Sequence, residues 1–191
     1  ILTNIYEIYS VCSLFFLGLI ICASPTGMKD FPDLDQKLPT LLGHRSLITH
    51  SIFFPFLVYF FIEKKIAEKN VNLLIFLSGL FLGMGIHLIA DLFPEKWGLN
   101  SFIKIPGNIS IGYLSLFWIA LNAIISIYFS CRIIKKIPSK HLYEHTYLTV
   151  GLIIGLFYSL NERANESVIF VTFLILFLLI FTLKKKRPNY F

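Results

Sequence analysis

Three short stretches of this chain carry the side chains able to do chemistry: Pro32-Asp33-Leu34-Asp35, Gly43-His44-Arg45-Ser46-Leu47-Ile48-Thr49-His50-Ser51 and Gly85-Ile86-His87-Leu88-Ile89-Ala90-Asp91. Imidazole nitrogens and carboxylate oxygens together suit divalent transition metals, so Asp33, Asp35, His44, His50, His87 and Asp91 are candidate metal ligands. A mixed His/Asp set favours Zn²⁺, with Mn²⁺ or Fe²⁺ as alternatives, over Ca²⁺ and Mg²⁺, which take oxygen ligands. The six candidates exceed the four ligands of one closed zinc site, which makes room for one ion or two. Such a centre brings the pKa of a bound water to about 7 and supplies hydroxide as a nucleophile. Arg45 stays protonated and is no ligand, but its guanidinium fork suits a phosphate or a developing anion. Arg45 and Asp33 are therefore the catalytic candidates.

Each of these readings has an ordinary counterpart. Asp33 and Asp35, with Asp30 close by, could form a solvated acidic loop, and Arg45 could make a salt bridge to either of the first two. His50 could be a core histidine bonded to a loop carbonyl. The pair His87 and Asp91 could serve an interhelical hydrogen bond.

The elements that must position these groups follow from composition. Of the 191 residues, 56% are hydrophobic and 15% charged, whereas soluble domains carry roughly half apolar and a quarter charged residues. The expectation is an all-α, polytopic membrane protein, a single membrane-embedded domain over 1–191 with the motifs confined to 24–106. Hydropathy gives six spans, near Ile5 to Ala23, Leu47 to Ile62, Val71 to Leu92, Ile109 to Ile134, Leu142 to Leu160 and Val168 to Leu183. The bundle has five spans if the fifth, which must include Glu144 and His145, fails. Pro55 falls inside the second span and predicts a kink.

Eleven of the 17 Lys and Arg residues fall on one side of this arrangement: Lys64, Lys65, Lys69, Arg132, Lys135, Lys136, Lys140, Lys184, Lys185, Lys186 and Arg187. That side is expected to be cytoplasmic, with both termini. The net charge of +6 is then a topology signal, and no nucleic-acid partner is expected. The basic tail from Lys184 to Arg187 suits anionic membrane lipid. All six ligand candidates come to the opposite, non-cytoplasmic face. Ionisable groups at membrane depth are costly, and a bound cation compensates them.

Finer expectations concern each segment. Gly79, Gly83, His87 and Asp91 recur every fourth residue and form one ridge, its small residues letting a neighbouring helix come close. Gly151 and Gly155 offer a second small-residue face, and such faces could support an oligomer. An extended backbone after Pro32 would turn Asp33 and Asp35 to one side. His44 precedes the second helix, with Ser46 or Thr49 as its cap, and His50 lies in that helix's first turns. His141-Leu142-Tyr143-Glu144-His145 fits the pattern of inverted zinc peptidases. It reads better as an interfacial belt, because Glu162 and Glu166 fall across the bilayer and leave it no third ligand. Cys12, Cys22 and Cys131 read as small core residues.

In their order, Pro32-Asp33-Leu34-Asp35, His44-Arg45, Thr49-His50-Ser51, His87 to Asp91, and Gly98 with Pro106 resemble the YdjM-type membrane-bound metal-dependent hydrolases, a LexA-binding inner-membrane family. The resemblance covers about residues 24 to 106. It implies a bacterial inner-membrane hydrolase, more distantly similar to zinc-dependent phospholipase C and single-strand nucleases. The chain departs from that pattern by one extra residue between His44-Arg45 and Thr49-His50. Together the motifs lead to the expectation of a metal-dependent hydrolase acting on a phosphoester, as a small molecule or a lipid head group. The competing expectation is a non-catalytic membrane protein, a sensor or a subunit of a defence complex, whose metal only ties loops to helices.

Overall fold

The structure, a computed structural model, describes residues 2–24, 30–37, 45–67, 70–93, 102–107, 109–137 and 141–161. Its elements are α1 (Leu2–Cys22), a 3-10 helix (Pro32–Lys37), α2 (Phe53–Ala67), α3 (Val71–Asp91), the strands β1 (Lys104–Ile105) and β2 (Ile109–Ser110), α4 (Leu114–Ile134) and α5 (His141–Asn161). The fold is mostly helical, as composition demands. The span expected over 168–183 lies outside the described residues.

α3 is apolar on every face, and a helix of that kind belongs in the middle of a structure. From Leu74 to Ile89 every residue except Phe76 is buried. α1 and α4 flank it along most of its length, while α2 and α5 touch it more locally. The closest of these approaches is made by glycine. A methyl group on Gly79 or Gly83 would strike the carbonyls of Phe15 and Leu19 on α1, and one on Gly18 would strike the carbonyl of Phe76 on α3. The ridge expected from Gly79 and Gly83 is thus the seat of α1.

α4 is apolar on its outer face and mixed on its inner one, where Ile119, Ala123 and Ile127 are buried among hydroxyl and amide side chains. Its buried face holds Ser115, Asn122, Ser126 and Ser130, while Phe117, Ile124 and Tyr128 face outward with at least half their surface accessible. α3 and α4 are each long and apolar enough to cross a membrane. α5 docks partly through polar groups, the Tyr147 hydroxyl donating to Ser130 Oγ at 2.8 Å and Ser130 Oγ to the carbonyl of Ser78 on α3.

Three local expectations change. α2 begins at Phe53, so Pro55 sits in the first turn, where its missing N–H costs no helical bond and no kink is required. Residues 109 to 113 precede α4 rather than opening it: Ile105 pairs with Ile109 and Lys104 with Ser110 in a hairpin. β-branched residues on both arms favour strand, and Gly107 supplies the left-handed turn at φ 92°. This hairpin holds the motif loop, because Lys104 N–H donates to the Arg45 carbonyl (2.9 Å) and Leu47 N–H to the Lys104 carbonyl (2.8 Å).

Candidate metal centre

The centre lies at the C-terminal end of α3, where Asp91 closes the helix and His87 stands one turn below it. Two other segments meet it there. The 3-10 helix brings Asp33 and Asp35, and the loop before α2 brings Arg45 and His50. Asp33, His50 and His87 form a group that could hold a metal ion, each offering a ligand atom within 4.8 Å of the others.

A 3-10 helix turns once every three residues, so Asp33 and Asp35 diverge instead of sharing a side as an extended chain would have them. Asp33 goes to the centre, and Gln36, one turn further on, donates its Nε2–H to Asp33 Oδ1 at 2.6 Å. Burial raises the Asp33 carboxyl above the usual range; His87 and His50 oppose that rise, and Asp30 and Asp91 add to it. Asp35 is fully buried behind His50. Its Oδ2 accepts from Ser46 N–H and Thr49 Oγ1, each at 2.7 Å, and lies 3.2 Å from His50 Nδ1. In this arrangement Asp35 braces the His50 ring from its Nδ1 side, while the sequence reading expects it among the ligands.

His50 sits three residues before α2, not within its first turns. Its N–H donates to the Ser46 carbonyl at 2.9 Å, and its own carbonyl accepts from Trp118 Nε1 of α4 at 3.2 Å. The expected capping hydroxyls act inside this loop: Ser46 Oγ accepts from Ile48 N–H at 3.1 Å. The start of α2 is instead met by Ser51 Oγ, which accepts from Phe53 N–H, and by Asn122 Oδ1 of α4, which accepts from Ile52 N–H at 3.0 Å. Asn122 is thus a brace for the His50 loop.

His87 has the same kind of backing. Its Nδ1 lies 3.3 Å from Asp30 Oδ2 and 2.5 Å from the Tyr158 hydroxyl of α5. Asp30 is buried, so the solvated acidic loop is not what forms there. Sequence reasoning passed over Asp30 as a bystander and missed Tyr158, which stands among ordinary apolar helix residues and carries no motif. The four-residue step from Gly151 through Gly155 to Ser159 marks the docking face of α5, and Tyr158 adjoins it.

With each Nδ1 turned to a carboxylate and a hydroxyl, Nε2 is left facing inward. His50 Nε2 and His87 Nε2 both point at Asp91 Oδ2, at 3.3 and 3.5 Å. Neither contact has hydrogen-bonding geometry at Asp91, and His87 Nε2 and Asp91 Oδ2 are buried atoms with no hydrogen-bond partner. Buried orphans of this kind are rare. If both Nδ1 atoms carry the proton, lone pairs converge on a lone pair, which is unfavourable unless a cation lies between them. The spacing fits that reading: a tetrahedral site with bonds of about 2.1 Å has ligand-to-ligand edges of about 3.4 Å, while N–H···O bonds run about 2.7 to 3.2 Å.

Arg45 pairs with neither Asp33 nor Asp35. Its Nη2 lies 2.7 Å from Asp91 Oδ1, and its Nη1 donates to the Asp91 main-chain carbonyl at 3.4 Å. The guanidinium therefore holds the outer oxygen of Asp91 and aims the inner one at the histidines. Its backbone adopts φ 58°, uncommon for a residue with a side chain and frequent at functional turns. Asp91 and Arg45 keep 13% of their side-chain surface accessible and form the edge of the centre, whose inner atoms are buried.

Among the expected residues, the structure brings together Asp33, Asp35, Arg45, His50, His87 and Asp91. His44 and Gly98 lie outside the described residues, as do Glu162 and Glu166. His141 to His145 open α5, with side chains outside the described set. No known protein family, curated protein or solved structure matches the chain.

Proposed function

We infer that this chain is a membrane-embedded, metal-dependent hydrolase of phosphoesters. The observation carrying this reading is the convergence of two back-braced imidazoles on an orphaned carboxylate oxygen beside Asp33. His50, His87 and Asp91 would hold the ion, with Zn²⁺ the best fit to two nitrogens and an oxygen, and a fourth position would be left for water beside Asp33. Bound there, the ion would supply an ionised water as nucleophile and polarise the ester. Asp35 and Asp30 fix the two ring orientations. Arg45, at the edge of the centre, keeps Asp91 aligned through both terminal nitrogens and puts a fixed positive charge where an incoming anion would approach. The YdjM-type resemblance, whose motifs include Asp33, Arg45, His50, His87 and Asp91, supports the same reading, and the outward apolar face of α4 supports a membrane setting.

A purely structural metal would be closed by protein ligands. The accessible edge at Arg45 and Asp91 favours an enzyme instead. The decisive experiment measures metal content and hydrolysis together. Purified protein should contain a transition metal near one equivalent or more, and His87→Ala should lose most of it. Arg45→Lys should keep the metal yet lose activity, because a point charge cannot replace bidentate pairing. Metal-free protein after zinc and manganese supplementation would overturn the metal, and metal-loaded protein inert toward lipid and nucleotide phosphoesters would overturn the enzyme.

A further inference from the structure

Beside the metal centre, the loop that carries His50 has a second surface. Leu47, Ile48, Ser51, Ile52, Phe53 and Phe56 on one side, with Trp118 and Asn122 of α4 opposite, enclose an open-sided cavity of about 370 Å³. That is a usable ligand volume. Its polar members are spent on the protein itself: Trp118 Nε1 donates to the His50 carbonyl, Asn122 bonds Ile52 N–H and the Trp118 carbonyl, and Ser51 Oγ donates to the Ile48 carbonyl. What remains toward the cavity is hydrocarbon and aromatic surface. A polar or charged ligand finds no free donor there, so the cavity selects an apolar occupant.

The rim decides which apolar occupant. Ile48, Phe53 and Leu57 on the loop and α2, and Phe117 and Leu121 on α4, all have more than a third of their surface exposed. They continue the outward apolar face of α4, one of the two helices long and apolar enough to cross a membrane. The cavity therefore opens where acyl chains would lie, and its wall is the segment that presents His50 to the ion.

We propose that this cavity is an acyl-chain subsite, so that the substrate is an amphiphile whose phosphoester head group meets the metal centre while one chain lies between the His50 loop and α4. The proposal rests on the hydrolase reading for the head group, and on the cavity alone for the chain. A chain held at the His50 loop fixes the ester relative to the centre, which converts apolar binding into orientation.

The test reads the chain separately from the chemistry. Trp97→Phe leaves Trp118, a cavity wall, as the sole indole of the chain. In neutral detergent, a single-chain alkyl phosphate brominated along its chain should quench Trp118 saturably, more tightly by up to about fourfold for each added methylene until the cavity is filled. Ile48→Phe, which fills the rim without touching a ligand, should weaken that binding about tenfold and leave metal content unchanged. Ile124→Phe, on the outward face of α4 and outside the cavity, should have no effect. Quenching that follows bulk partitioning, or is the same in Ile48→Phe, would mean ordinary surrounding lipid and overturn the proposal. Equal binding of a brominated alkane lacking phosphate would separate cavity from centre and overturn the substrate assignment. Loss of quenching with growing dimer content would assign the surface to a second copy and overturn it too. Saturable, phosphate-dependent chain binding to protein that neither holds metal nor hydrolyses any ester would keep the subsite and remove the hydrolase reading.

Discussion

At the scale of single residues, the centre is built in two layers that the sequence does not distinguish. Asp33 and Asp91 are acids on the inner side of the two imidazoles, where an ion is proposed, while Asp30 and Asp35 are acids behind a histidine. All four are carboxylates separated by a few positions or by a whole helix. What sorts them is which side of an imidazole they reach. Backing carboxylates set the tautomer and raise ligand basicity, and their loss costs metal affinity about 10- to 100-fold. Asp30→Asn should therefore lower metal affinity within that range, and Tyr158→Phe should do so more mildly, each with helical content retained. Competition against a chelator of known affinity measures it. Unchanged affinity in both variants would reduce Asp30 and Tyr158 to packing.

The element scale turns on how closely α1 approaches α3. The ridge of Gly79, Gly83, His87 and Asp91 serves two purposes on one helix, seating α1 with its lower half and the metal centre with its upper half. At Gly79 and Gly83 an added methyl meets main-chain atoms of α1, which cannot rotate away. At Gly155 it would meet only the side chain of Ile86, at ordinary contact distances of 3.6 and 3.9 Å. Gly79→Ala and Gly83→Ala should thus lose at least about 1 to 3 kcal/mol of stability. Gly155→Ala should stay within about 0.5 kcal/mol. Unfolding in detergent compares them. Equal behaviour of the three would mean that α1 does not depend on that approach. Because Gly83 lies one turn below His87, its variant should also lower metal occupancy.

For the whole molecule, the consequence is sidedness. The 3-10 helix ending at Lys37, the His50 loop and the Asp91 end of α3 gather at one end, and the basic residues Lys135 and Lys136 follow the far end of α4. On the proposed membrane setting, with α3 and α4 spanning, the candidate centre and these lysines would occupy opposite faces. Single cysteines in a background free of Cys12, Cys22 and Cys131 should react with an impermeant reagent from outside at position 37 and only after permeabilisation at positions 65 and 136. Labelling at 37 from the cytoplasmic side would reverse the orientation and move the substrate to that face.

The sequence by itself determined the helical class, three of the helices (α1, α3 and α5) to within a few residues, the close-packing face at Gly79 and Gly83, and most of the residues of the candidate centre. Those features rest on composition and on spacing along one chain segment, and both are local. Residues 109 to 113 failed for a related reason: their hydropathy suits a helix, while the hairpin depends on pairing with Lys104 and Ile105 across the Gly107 turn. Which carboxylates meet the inner side of the imidazoles and which brace them from behind was decided by tertiary structure alone. So were the ion pair of Arg45 with Asp91, the arrival of Tyr158 behind His87, and the support of the His50 loop by Trp118 and Asn122. Each joins residues more than forty positions apart, and which lone pair of a carboxylate or imidazole faces an ion depends on where the other helices put its neighbours.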